Sequence, residues 1–234
     1  MRRSAAMACM AVLTLAAGTL PAQSELSAAQ KLVFDRPHLD NLKEPVVLRY
    51  TFMQSGPMWQ KLNDVFEDRI LMSVDKVRKT GAKDVSFEFL SGKRRRPYAD
   101  ITDVKGNPIV ILFLNHDIWA QSRVLGGTPN YFRNRIRGAL NGRNQIIDVT
   151  VDGPNGPLKA KRLVLKPYEN DKNTARLKHH VRKIYEITVA PDIPGEVYAI
   201  RSYIPADRKT DDGAPALAQQ HLKFDRAGTK GELE

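Results

Sequence analysis

Two neighbouring stretches restrict the fold of this chain more than any other feature. "DRILMSVDKV" (68–77) sets Ile70, Met72 and Val74 against Leu71, Ser73 and Asp75. "KDVSFEFLS" (83–91) sets Val85, Phe87 and Phe89 against Ser86 and Glu88. A period of two is the signature of strands with one buried face, and the intervening "RKTGA" supplies a glycine for the turn. The same grammar recurs. "VVLRYTFMQ" (46–54) reads as a strand ended by "SGP". "NQIIDVTVD" (144–152) and "LKAKRLVLK" (158–166) form a hairpin around "GPNGP". "VRKIYEITVA" (181–190) and "EVYAIRSYI" (196–204) form another around "PDIPG".

Between these hairpins the period changes. "NPIVILFLNHDIWAQSRVL" (107–125) places Val110, Phe113, Leu114, Ile118, Val124 and Leu125 at helical spacing, with Asn107 as N-cap and Pro108 at the first helical position. A buried strand "IVILFL" followed by a shorter helix is the rival, favoured by β-branched content. Thr128 and Pro129 repeat the cap grammar, predicting a second helix from Pro129 to about Asn141 with Phe132, Ile136, Ala139 and Leu140 on one face. On that helix Arg133 and Arg137 share a flank and Arg135 falls on the far side. Like charges four apart repel, so an acidic side chain or a bound anion is expected beside Arg133 and Arg137.

Strands, two helices, then strands, with no βαβ alternation, predict an α+β fold: a curved antiparallel sheet or incomplete barrel of about seven or more strands with two helices inserted mid-sequence. Residues 23–205 form the single domain. Residues 206–234 read as a flexible polar tail, with a short helix around "PALAQQHLKF". Residues 1–22 have the form of a secretory signal peptide: Arg2 and Arg3, an apolar run from Ala5 to Ala17, and small residues ending near Ala22. That run is shorter than the ~20 residues a spanning helix needs. The expected location is the periplasm, with no transmembrane span.

The only cysteine, Cys9, lies inside this leader, so disulfides, thiol catalysis and cysteine-ligated metal are excluded from the domain. The formal charge is +11, two of which come from Arg2 and Arg3. Residues 123–183 hold fourteen Lys/Arg and four Asp/Glu, a net of +10, and the rest of the exported chain is near neutral. Such asymmetry points to acidic partners, and export leaves anionic lipid or an acidic envelope protein rather than nucleic acid.

Few motifs carry chemistry. Ser73 to Lys76 matches S-x-x-K and Lys79-Thr80-Gly81 matches K-T-G, but both fall on one strand and its turn, where the serine β-lactamase site cannot assemble. His116-Asp117 is an adjacent pair pointing about 100° apart on a helix, the acid reading as a surface or capping residue. His179-His180 lies among lysines without nearby carboxylates, so no metal site and no cofactor is expected, and no catalytic residue is assigned. Phe113, Trp119, Tyr131 and Phe132 read as core. "GKRRRP" (92–97) places Lys93, Arg94, Arg95 and Arg96 in one loop, suited to phosphate or an anionic headgroup. Candidate anion-binding residues are therefore Lys93, Arg94, Arg95, Arg96, Arg133 and Arg137.

The leader, "LRYTFMQSG" (48–56) as a first strand after an entry helix, the hairpin 68–91, the helical middle and the closing hairpins give the chain an order of elements that resembles the periplasmic lipoprotein-carrier and lipoprotein-receptor superfamily. The likeness spans most of the domain in architecture only, and the "KRRRP" loop has no counterpart in it. It implies an incomplete barrel whose apolar cavity holds acyl chains. The expected function is an exported binding or carrier protein for an amphipathic, anionic ligand: a lipid, a lipoprotein acyl chain or a lipopolysaccharide-like molecule. An interaction module docking an acidic envelope protein through its basic face, and a hydrolase using His116 and Asp117, are the alternatives.

Overall fold

A computed structural model describes residues 25–142, 144–154, 156–206 and 215–233. The predicted leader lies outside these residues.

Nine strands form one open antiparallel sheet: β1 (Val46–Ser55), β2 (Phe66–Val77), β3 (Lys83–Phe89), β4 (Ile101–Val104), β5 (Asn144–Gly153), β6 (Gly156–Leu165), β7 (Ile184–Val189), β8 (Val197–Ile204) and β9 (Ala218–Gly228). Their order is β4-β3-β2-β1-β9-β8-β7-β6-β5, so two meanders meet at the β1–β9 pair and the sheet ends on two free edges. The clean alternation read in 83–91 survives as a buried/half-buried repeat along β3. Short helices punctuate the chain: α1 (Ala28–Gln30), α2 (Pro57–Gln60), α5 (Thr174–Leu177) and α6 (Lys230–Leu233). The long ones, α3 (Ile109–Leu125) and α4 (Pro129–Asn141), carry the chain from the β4 edge to the β5 edge.

The expected α+β class, with a curved antiparallel sheet and two mid-sequence helices, is what the structure has. α4 has the predicted span. α3 is continuous, which removes the strand alternative, but it starts at Ile109 with Pro108 as N-cap. Asn107 still caps, because its Oδ1 accepts the Ile109 N–H at 3.1 Å, and its Nδ2 donates to Gly195 O at 2.8 Å. Gly195 has φ +72°, and a Cβ there would sit 2.7 Å from Leu48, so the approach of that turn requires glycine.

The tail reading is corrected. Residues 218–228 are β9, the strand between β1 and β8 at the middle of the sheet. Its inward residues Ala218, Gln220, Leu222 and Phe224 are buried and its outward ones are polar, which satisfies the period of two. Two of the inward four are short or polar, and that hides the strand from a hydrophobicity reading. The short β4 edge strand, inside what reads as a loop, and the 3-10 turn over Lys178–Arg182, which delays β7 to Ile184, are smaller differences of the same kind.

Register explains the core. Phe52, Leu222, Ile200, Ile187 and Leu163 stand in one row across five strands. This apolar row belongs to the same continuous core as Phe113, Ile118 and Phe132 of the two long helices. The neighbouring row is Gln54, Gln220, Ser202 and Tyr185. A polar row facing a helix needs partners, because an unpaired buried polar group costs ~1–3 kcal/mol. α3 supplies them to Ser202 and Tyr185 with Asp117 and Gln121, while Gln220 donates to Gln54 Oε1 at 2.6 Å and Gln54 donates to Asp64 O at 2.7 Å. Among the described residues no helix is long and apolar enough to cross a membrane.

Candidate functional site

α3 presents two flanks. Asp117 and Gln121, four residues apart, face the polar row. His116, Trp119, Ala120 and Arg123 share the other flank and form one wall of a cavity.

On the first flank Asp117 is fully buried and accepts four hydrogen bonds: from Lys183 Nζ at 2.6 Å, Ser202 Oγ at 3.1 Å, Gln121 Nε2 at 2.8 Å and Tyr185 OH at 2.5 Å. Burial lowers the Lys183 pKa, opposed by the Asp117 charge. Burial raises that of Tyr185, and the Asp117 charge adds to it. The space beside this cluster is only about 10 Å³, lined by Trp59, Gln121, His180 and Gln220 among others, room for no more than one water-sized group. The expectation that Asp117 is a surface or capping residue is corrected: it is the buried hub joining α3 to β7 and β8. His116 is not its partner. The His116 ring packs edge-on to Phe52 with centroids 5.4 Å apart and against Phe89 at 5.3 Å, and makes no hydrogen bond among the described residues. Burial holds it neutral, with its pKa lowered to about 4. A base–orienter pair of the hydrolase kind is therefore not assembled here.

On the second flank the cavity has a volume of about 480 Å³. Its walls are Phe66, Leu90, Pro97, Tyr98, Trp119 and Ala120, with Gln54 and His116 on the inner side and Arg94, Arg96 and Arg123 around the opening. The loop that delivers the arginines is well tied. Asp68 Oδ2 accepts the Ser91 N–H at 3.0 Å, Gly92–Arg94 form a 3-10 turn, and Arg96 N–H donates to Phe89 O at 2.9 Å. Arg94 lies over the Phe66 ring, 4.3 Å from its centroid, which orients its guanidinium by cation–π attraction. Arg123 pairs with Asp64 at 3.2 Å, and among the described residues Asp64 is the only acid lining the cavity. Arg94, whose charge lies near Asp68, and Arg96 make no ion pair among the described residues.

The structure divides the predicted anion-binding residues. Arg94 and Arg96 line the cavity; Lys93 and Arg95 are exposed and point elsewhere. Arg133 and Arg137 lie on α4, away from it. Arg133 donates to Asn130 Oδ1 at 2.6 Å, and no acid is beside Arg137 among the described residues. The expected arrangement is inverted, since Arg135 is the paired arginine, 2.6 Å from the buried carboxylate of Asp171 and stacked 5.3 Å from the Tyr131 ring centroid. The described part of the +10 segment does not converge either: Lys183, Arg135 and Lys161 are paired with Asp117, Asp171 and Asp148, and among its described residues only Arg123 reaches the cavity. Phe113 and Phe132 are core as expected, whereas Trp119 is 63% exposed. Its place on the His116/Ala120/Arg123 flank was readable from helical spacing; that the flank faces a cavity was not.

A second groove, about 500 Å³, lies on the opposite face of the sheet between Arg49, Met53, Glu67, Arg69, His221 and Lys223. Its charges are mixed, and Arg49 is paired with Asp225 at 3.3 Å. Among its lining residues the one aromatic is the fully buried Phe52. No protein-family model matches the chain, and no curated protein matches it in sequence.

Proposed function

We propose that this is an exported binding or carrier protein that holds an anionic amphipath in the cavity beside α3. The observation that carries the reading is the pairing, in one cavity, of an apolar wall with two arginines, Arg94 and Arg96, that make no ion pair among the described residues. Arg94 and Arg96 would take the anionic headgroup through planar, charge-assisted hydrogen bonds. Phe66, Leu90, Tyr98 and Trp119 would take its apolar part. The volume suits a single short chain or part of a longer one. His116, neutral near pH 7, adds a hydrogen-bonding nitrogen without adding charge. The leader's form and the resemblance to the lipoprotein carriers support an envelope location and an acyl ligand.

The sequence has two tryptophans, and Trp59 is buried while Trp119 is exposed, so Trp119 reports on the cavity. Titration with a short-chain phosphatidic acid below its micelle concentration should produce a saturable blue shift. An uncharged diacylglycerol of the same length should bind more weakly. No shift with either, with no ligand seen by native mass spectrometry, would overturn the reading.

A further inference from the structure

We infer that the mouth of this cavity is a docking surface for an anionic lipid bilayer. Seven large apolar side chains are exposed among the described residues, and three of them, Leu62, Val65 and Trp119, stand on the segments that wall this one site. Leu62 and Val65 are 54% and 45% exposed on the segment between α2 and β2. That segment also supplies Asp64 and Phe66 to the cavity wall. Trp119 projects from the facing helix flank, and the Asp64–Arg123 ion pair joins the two banks. Val124 borders the adjoining small space beside Trp59. Scattered apolar residues need no explanation, but a cluster does.

The partner is chosen by charge and residue type. Lys61, Arg94 and Arg96 are exposed on the segments that carry the cluster, and Arg123 has a side-chain exposure of 62%. The local acids are Asp64, paired with Arg123, Glu67, and Asp68, which is hydrogen-bonded to Ser91 and feels the Arg94 charge. Apolar tips with a tryptophan among arginines match an anionic headgroup layer over hydrocarbon, where shallow apolar insertion and electrostatic attraction add. An acidic protein face would meet the arginines but would leave Leu62 and Val65 without a use. The inference rests on the proposed cavity ligand only for its purpose, since docking here would set the opening against the lipid source.

Vesicle flotation separates the two proposals. The chain from residue 23 onward should float with vesicles of phosphatidylglycerol and phosphatidylcholine, and at least tenfold less with pure phosphatidylcholine. Leu62→Asp with Val65→Asp, both at exposed positions outside the cavity wall, should cut flotation at least tenfold while circular dichroism and the Trp119 response to monomeric phosphatidic acid stay unchanged. Equal flotation with both vesicle types, or a double variant that still floats, would overturn docking even if the monomer binds. Failure to float combined with salt-sensitive binding to polyglutamate would overturn it in favour of an acidic protein partner. Loss of the monomer response in the unaltered protein counts against the cavity ligand instead.

Discussion

Lys183 Nζ lies 2.6 Å from Asp117 Oδ1, the carboxylate fully buried and the lysine side chain nearly so. This contact fixes α3 against the start of β7, and so fixes which helix flank is left to face the cavity. Ser202, Tyr185 and Gln121 complete the carboxylate's hydrogen bonds, which is the condition for a buried pair to be tolerated. Asp117→Ala should destabilise the protein by roughly 3–5 kcal/mol, because it leaves the ammonium buried without a counter-charge. Asp117→Leu with Lys183→Met should recover most of that loss. Urea unfolding of the three proteins checks both statements; a single variant costing no more than the double would contradict them.

Acid should destabilise the fold through two histidines. His116 and His180 are each lowered by burial to about 4 from the ordinary 6.5. The unfolded chain therefore binds more protons than the folded one between pH 6.5 and 4, and stability rises with pH across that window. It is full above pH 6.5, is lost as pH falls toward 4, and each histidine contributes at most ~1.4 kcal/mol per pH unit of the slope. His116→Phe should flatten the melting temperature profile between pH 4 and 7 relative to the unaltered protein. Identical profiles would show that His116 is not held neutral.

Removing the C-terminal segment should unfold the protein. Truncation after residue 214 deletes β9, leaving both β1 and β8 without their shared neighbour and the apolar row without Leu222. Far-ultraviolet circular dichroism and gel filtration should show an unfolded or aggregated chain. A folded truncated protein would contradict the sheet order.

On α4 the three arginines should behave unequally. Arg135→Ala should cost about 1 kcal/mol, discounted because the guanidinium is 43% exposed while its Asp171 partner is not. Arg133→Ala and Arg137→Ala should each change stability by less than about 0.5 kcal/mol, as surface substitutions away from buried partners do. Thermal unfolding distinguishes them.

Much of the fold was legible from local pattern. Period-two strands 46–54, 68–77, 83–91, 144–152, 158–166 and 196–204 and the helix from Pro129 are decided by side-chain alternation and cap chemistry, which operate within a few residues. β9 was not legible, because Gln220 and Ala218 are buried only by their places in a nine-stranded sheet. Asp117 was misread for the same reason: its partners are 66, 68 and 85 residues away, besides Gln121 one turn on. Of the basic loop, the charge was visible and the direction was not; Phe66, stacked under Arg94, singles it out from Lys93 and Arg95.

The cavity's role is decided by where a ligand sits. A crystal structure of the protein with a short-chain phosphatidic acid should place the phosphate within hydrogen-bond reach of Arg94 and Arg96 and the acyl chain along Phe66, Tyr98 and Trp119. A phosphate bound instead in the groove of Arg49, Arg69 and Lys223 on the opposite face, with the α3 cavity unchanged, would contradict it.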